Sequence, residues 1–122
     1  MLTKEEIIRL SNFAKELDLE VLCECHSLSS LNNIPFESVD FVGVNNRDLH
    51  SFDVDIATSK ELFAQIPDSK LCISESGISK SDKLKELFNL GYKGFLIGEH
   101  FMSQENPGLA CSNFISQINC EA

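Results

Sequence analysis

Basic side chains are scarce. Ten lysines and arginines stand against 19 aspartates and glutamates among 122 residues, leaving a formal net charge of −9. Like charge repels phosphate backbones and anionic headgroups, so nucleic acid and membrane surfaces are excluded as default partners. Long apolar runs are also lacking, and none approaches the roughly 18 residues that a membrane-spanning helix needs. The opening Met1-Leu2-Thr3-Lys4-Glu5-Glu6 has neither the basic nor the apolar region of a secretory leader, so a cytoplasmic protein is expected. Cysteine is present without a disulfide pattern: Cys23, Cys25, Cys72, Cys111 and Cys120 are odd in number, unevenly spaced and mostly set in apolar runs. Reduced, buried thiols are the expectation. No linker, low-complexity segment or shift of composition divides the chain, and its 43% apolar content suffices for one core.

Thr3-Lys4-Glu5-Glu6 is a capping box, in which hydroxyl and carboxylate satisfy backbone N–H groups at a helix start, and Ile7, Leu10, Ala14 and Leu17 follow at helical spacing. Val21-Leu22-Cys23-Glu24-Cys25 reads as a buried strand, and residues 27–33 form at best a weak helix, stopped by Pro35. Phe41-Val42-Gly43-Val44-Asn45 is a second strand, leading into a loop that reaches Asp55; a helix from Ile56 to Gln65 ends at Pro67. Lys70-Leu71-Cys72-Ile73-Ser74 is the third strand. Ser79 or Ser81 then caps a helix running to Leu90, with Gly91 at its C-terminal cap. Phe95-Leu96-Ile97-Gly98 is the fourth strand, and Asn106-Pro107 opens the last helix with a capping residue and a proline at its first position. Helices alternating with apolar strands that lack polar alternation predict an α/β fold with a helix-covered parallel sheet. Strands beginning near residues 21, 40, 70 and 94 have the spacing of (β/α) repeats. Four such units make half of an eight-unit TIM barrel.

Ligands of parallel α/β folds sit at the carboxyl ends of the strands. Here those ends read Cys23-Glu24-Cys25-His26, Asn45-Asn46-Arg47, Glu75-Ser76-Gly77 and Gly98-Glu99-His100, every one polar. Alternation along a strand puts Glu24 on one face and Cys23 and Cys25 on the other; it groups Asn45 with Gly43 and Phe41, and Glu75 with Ile73, opposite Cys72 and Ser74. A carboxylate against packed strands has its pKa raised by desolvation, which suits proton transfer near neutrality; the alternative is a solvated strand end. Ser76-Gly77 before a helix and Gly98 at the next strand end offer backbone N–H groups to a phosphate, although each glycine is also explained as a turn. Cys23-Glu24-Cys25-His26 carries metal-ligand types, but a Cys-x-Cys on a strand with no second paired motif argues against a metal site. His50 and His100 read as solvated or supporting histidines, and residues 80–86 as the wet face of a helix.

Four strings in order, Leu19-Glu20-Val21-Leu22-Cys23-Glu24-Cys25-His26, Gly43-Val44-Asn45-Asn46-Arg47-Asp48-Leu49, Ser74-Glu75-Ser76-Gly77-Ile78 and Gly94-Phe95-Leu96-Ile97-Gly98-Glu99, resemble the C-terminal half of the indole-3-glycerol-phosphate synthase family, over nearly the whole chain. The resemblance implies a (β/α)8 barrel lyase of tryptophan biosynthesis. Such an enzyme closes the indole ring of 1-(2-carboxyphenylamino)-1-deoxyribulose 5-phosphate with loss of carbon dioxide and water, and uses no metal or organic cofactor. It assigns proton transfer to Glu24 and the orienting of substrate and charged intermediates to Asn45 and Glu75. Arg47 takes a supporting electrostatic place and Leu96 the apolar wall for the aromatic ring. Ser76, Gly77, Gly98 and Glu99 fall at the phosphate cradle, Glu99 through its backbone N–H only, since its carboxylate repels phosphate unless turned away.

Residues 1–122 are then a single partial domain, because the family's barrel takes about 250 residues. The family's essential lysines belong to the earlier strands, and neither Lys4 nor Lys15 takes their position, so the isolated chain is expected to be inactive. A half-barrel also leaves two strand edges and an apolar inner face unpaired, which predicts self-association or pairing with an N-terminal half-barrel. Two further readings stand beside the synthase: a noncatalytic, self-associating half-barrel module, and a phosphate-binding barrel enzyme of other chemistry.

Overall fold

The capping box at Thr3 starts helix α1 (Lys4–Glu16): Glu6 N–H donates to Thr3 Oγ1 at 3.1 Å, and Thr3 N–H to Glu6 Oε2 at 2.7 Å. In the computed structural model, which describes residues 1–120, there follow β1 (Leu22–Cys25), α2 (Leu28–Asn32), a single 3-10 turn (Phe36–Ser38), β2 (Phe41–Asn45), α3 (Ala57–Phe63), β3 (Leu71–Glu75), α4 (Ser81–Leu90), β4 (Gly94–Leu96), α5 (Glu99–Met102) and α6 (Pro107–Asn119). The four strands are all parallel and lie side by side in chain order, β1-β2-β3-β4. A doubly wound sheet reverses its strand order at a switch point, and this one does not; strands added steadily in one direction build a barrel wall. The fold is α/β, and its sheet is consistent with half of a TIM barrel.

The expected alternation of faces holds along each strand. Cys25, Val42, Val44, Cys72 and Ser74 are buried beneath the helices, where Leu31, Leu62, Leu87, Tyr92 and Phe114 complete the core. Glu24, Gly43, Asn45, Ile73, Glu75 and Leu96 occupy the other face, with Gly43 paired to both Glu24 and Ile73, and Glu75 to both Asn45 and Leu96. That face is open: Leu71 and Leu96 keep 51% and 48% of their surface exposed. Among the described residues no helix is long and apolar enough to cross a membrane.

Three local expectations are corrected. Neither Ser79 nor Ser81 caps α4; the N-cap is Lys80, whose side chain makes no capping bond. Only the residue at the junction of extended and helical backbone aims its side chain at the first free N–H groups, and the serines lie one place to either side. Asp82 serves instead, its Oδ1 accepting from Lys83 N–H at 2.9 Å. The fourth strand is Gly94–Leu96 rather than residues 95–98, because Ile97 and Gly98 leave the sheet to start α5, a helix too short to show a period. The third runs one residue later than expected, Leu71–Glu75, which brings Glu75 into the ladder.

Candidate active site at the strand ends

Glu75 ends a strand flanked on both sides, by Asn45 and by Leu96. Its side chain is therefore enclosed, with the residue 7% exposed and Oε2 lacking a hydrogen-bond partner among the described residues. Burial first, and the facing Glu24 carboxylate second, push its pKa from 4.5 to about 7. Gly43 makes the room: a Cβ there would stand 1.9 Å from Glu75 Oε2, so only glycine lets the carboxylate lie across β2. Glu24 lies on the edge strand and is exposed, and Asn45 Nδ2 donates to its Oε1 at 2.7 Å. Asn45 Oδ1 accepts in turn from Arg47 N–H at 3.0 Å, so one amide side chain ties the Glu24 carboxylate to the turn that carries Arg47.

Arg47 reaches over this rim. Its Nη1 donates to Phe52 O at 3.2 Å, and its Nη2 is ion-paired with the Glu99 carboxylate at the start of α5. The pair turns the Glu99 carboxylate toward Arg47.

Beyond Glu75 the backbone enters the left-handed region twice in succession, at Ser76 (φ 69°) and Gly77 (φ 73°). A side chain at Gly77 is blocked as well, since its Cβ would meet Val54 Cγ1 at 2.1 Å. What holds Ser76 in this unfavourable conformation is a buried network that sequence reasoning missed. Asn46, 2% exposed, donates from Nδ2 to Ser76 O at 3.0 Å and Ser74 Oγ at 3.1 Å. Its Oδ1 accepts from Ser59 N–H at 3.1 Å and Ser59 Oγ at 2.7 Å, and Tyr92 OH closes the network on Ser59 O at 2.7 Å. Because the Ser76–Gly77 peptide is trans, a Ser76 carbonyl turned in toward Asn46 turns the Gly77 N–H away from Asn46. The available signal was parity: in Asn45-Asn46 the second residue must face the helices, where an amide needs partners.

The strand ends enclose a cleft of about 560 Å³ lined by Arg47, Glu75, Ser76, Gly77, Leu96, Gly98 and Glu99, with residues 78, 79, 97, 100 and 103. Seven of the nine expected site residues thus share one wall, and Glu24 and Asn45 complete the rim at its β1 side through the contacts above. Gly98 faces open space, with no atom within 4 Å of where a Cβ would stand. His100 lies on α5, its ring against Phe101 and Phe114 at 5.4 and 5.8 Å, and so belongs to the packing of α6. On the far side of the sheet burial pushes the Cys25 and Cys72 thiols up to about 12 and about 11, which keeps them protonated and poor metal ligands. The rim can take up and release a proton at Glu75 and present backbone N–H groups to an anion.

The family model of indole-3-glycerol phosphate synthase matches residues 1–114. Relatives bearing that name include one from Campylobacter jejuni, 42% identical over 110 residues that make up 90% of this chain and 43% of the relative. Another, from Bacteroides thetaiotaomicron, is 42% identical over 117 residues, 96% of this chain and 45% of the relative. The chain therefore spans under half the length of the curated relatives it matches. Among solved structures, the Amycolatopsis orientalis BexX/CysO complex has a similar fold, with a TM-score of 0.59 at 16% identity over 98% of this chain and 52% of that one. The YdjI aldolase from Escherichia coli is similar at a TM-score of 0.54 and 18% identity, over 96% of this chain and 51% of that one.

Proposed function

Because the chain belongs to the indole-3-glycerol phosphate synthase family, we propose that it carries the proton-handling and phosphate-holding half of a site that closes the indole ring of 1-(2-carboxyphenylamino)-1-deoxyribulose 5-phosphate, releasing carbon dioxide and water. The observation that carries this reading is the meeting of Glu24, Asn45 and Glu75 with Gly77 and Gly98 on one rim. Glu24 is the proton-transfer group, oriented by Asn45. Glu75, poised near neutrality, holds or releases a proton as the charge on the intermediate changes, and electrostatic groups fixed before the reaction are what lower such barriers. The phosphate lies against the N–H groups of Gly77, Gly98 and Glu99, beside the Ser76 turn. Barrel enzymes use this place after their last two strands, often with a short extra helix such as α5. The exposed Leu96 side chain supplies the apolar wall for the aromatic ring, and Arg47 an electrostatic support.

No metal or organic cofactor enters this scheme. The reaction is proposed to take place in the cytoplasm. The chemistry also requires an N-terminal half-barrel carrying the lysines that the resemblance implies, so activity belongs to the joined halves. The test is to co-express the chain with the N-terminal half of the Campylobacter jejuni relative and assay indole-3-glycerol phosphate. Activity abolished by Glu24→Gln is expected, and a folded, assembled but inactive pair would overturn the reading. For the chain alone, inorganic phosphate should shift the Gly77 and Gly98 amide resonances; unmoved resonances would leave both glycines as turns.

A further inference from the structure

We infer that Ser59 and Ser74, on the helix side of the sheet, are positioning residues for the strand-end turn: with Asn46 they close a one-way ring of hydrogen bonds that fixes the Ser76–Gly77 peptide, and so set how tightly that turn takes an anion. The inference rests on the anion-holding reading above, and it adds residues that tune the turn from outside the cleft, whose walls include none of the three.

The direction of the ring follows from counting protons. Asn46 is 2% exposed and Ser59 and Ser74 are fully buried, so their polar groups must satisfy one another. Ser59 Oγ gives its single proton to Asn46 Oδ1 at 2.7 Å. In its 2.7 Å contact with Ser74 Oγ it can then only accept, so the Ser74 hydroxyl is the donor. Ser74 Oγ accepts in turn from Asn46 Nδ2 at 3.1 Å, which returns the chain of donors to its start. Bonds arranged head to tail in this way polarise and strengthen one another.

Hydroxyls alone would let the ring run in either direction, with the Asn46 amide turned over. Two backbone groups choose between them. Ser59 N–H donates to Asn46 Oδ1 at 3.1 Å, and Ser76 O accepts from Asn46 Nδ2 at 3.0 Å. A turned amide would set its NH2 group against that N–H and its oxygen against that carbonyl, two unsatisfied pairs in a buried place. All four hydrogen-bonding positions of the Asn46 side chain are thus taken, two by backbone and two by the serines. The bond from Ser59 N–H also gives α3 the cap that its own N-cap, Ile56, does not supply, and so ties that helix to the turn. Turning the Ser76–Gly77 peptide over would bring its N–H against the Asn46 NH2 group. The two serines therefore brace, through Asn46, a turn whose residues lie at φ 69° and 73°, where a side chain such as that of Ser76 is disfavoured.

The experiment is a titration of the chain with inorganic phosphate, followed at the Gly77 amide, in Ser59→Ala, Ser74→Ala, the double variant and Tyr92→Phe. Each serine variant opens the ring and should weaken phosphate binding by about 5-fold, the worth of one hydrogen bond. The double variant should bind no more than about 2-fold weaker than either single, because a ring opened once is already open. Tyr92→Phe removes a bond to Ser59 O that lies outside the ring, and should lower stability while leaving phosphate affinity within about 2-fold. Serine variants that bind phosphate as the parent does, losses that multiply in the double variant, or an equal loss in Tyr92→Phe would each overturn the inference. Side-chain hydrogen exchange supplies a readout that needs no ligand: the Asn46 NH2 protons should exchange slowly in the parent, about 10-fold faster or more in either serine variant, and no faster again in the double. If a serine variant is unfolded, exchange in the parent decides by itself, and rapid exchange there overturns the ring. The expected exchange pattern without any phosphate response in the parent would refute the anion-holding reading and leave the ring standing; phosphate binding with exchange unaltered in the variants would do the reverse.

Discussion

Replacing Glu75 by glutamine isolates the cost of burying a carboxylate at the strand ends. The folded chain holds the Glu75 proton up to about pH 7, against 4.5 for the group in water. Between those values the folded state binds a proton that the unfolded state has released, so stability falls as pH rises through the window and the loss is complete above about 7. A tenfold difference in proton affinity between the two states corresponds to about 1.4 kcal/mol. Glu75 borders an open cleft, where water shares in screening the charge, so we take about 2 kcal/mol as the cost at pH 8. Glutamine has the same shape and no charge. In urea melts followed by circular dichroism, Glu75→Gln should therefore be about 2 kcal/mol more stable than the parent at pH 8 and within about 0.5 kcal/mol of it at pH 4.5. The corresponding rise in Tm at pH 8 is about 5–10 °C for a chain of this size. An equal gain at both pH values would assign the effect to packing, and a loss at pH 8 would mean that the ionised carboxylate is anchored; either result refutes the reasoning. A gain confined to high pH is the mark of a group kept for chemistry at the expense of stability.

Three other substitutions test the frame around it. Asn46→Ala leaves Ser59 and Ser74 short of a buried partner and frees the Ser76 carbonyl, so a loss of about 2–3 kcal/mol in denaturant melts is expected. Weaker shifts of the Gly77 amide on adding inorganic phosphate should accompany it; unchanged phosphate binding would separate Asn46 from the cradle. Gly77→Ala meets both a left-handed backbone and the Val54 side chain, and should cost about 2 kcal/mol or more, with a neutral melt showing that the loop simply relaxes. Ser11→Ala removes a shielded hydroxyl that has no partner among the described residues, and should raise the stability of the isolated chain by about 1 kcal/mol at unchanged denaturant dependence; destabilisation would reveal a bond to Ser11.

How far the sequence could be read varies with the range of the interactions concerned. Thr3 with Glu6, and Asn106, whose Oδ1 accepts from Leu109 N–H at 3.0 Å, are caps completed within three residues, and their spacing alone specifies them. The two faces of each strand follow equally directly, because alternation needs only one residue assigned. The α4 cap, one residue away from either serine, and α5, a four-residue helix, depend on where the backbone turns, which no period records. The Asn46 network lies further still from local pattern, joining residues 13 and 28 positions apart. Glu24 and Glu75 look alike as strand-end carboxylates, yet one ends an edge strand and is exposed while the other lies between two neighbours and is buried. Position within the sheet is a property of the assembled fold, and it is what buries Glu75 and raises its pKa.

The same distinction resolves the apparent conflict between an acidic chain and the anion site proposed for it. Arg47, the one lysine or arginine lining the cleft among the described residues, is already paired with Glu99, so little net positive charge is offered there. An anion held in such a place is held by direction. Asn46 pins the Ser76 carbonyl inward, the trans peptide sends the Gly77 N–H outward, and Gly98 leaves the opposite wall open to close approach. Grip of this kind depends on fixed dipoles at hydrogen-bonding distance, and it should weaken far less with salt than attraction to a basic patch. If the phosphate-induced shifts of Gly77 and Gly98 fade as sodium chloride is raised from about 50 to about 500 mM, at constant phosphate, then long-range charge carries the binding and this account of the cradle is wrong.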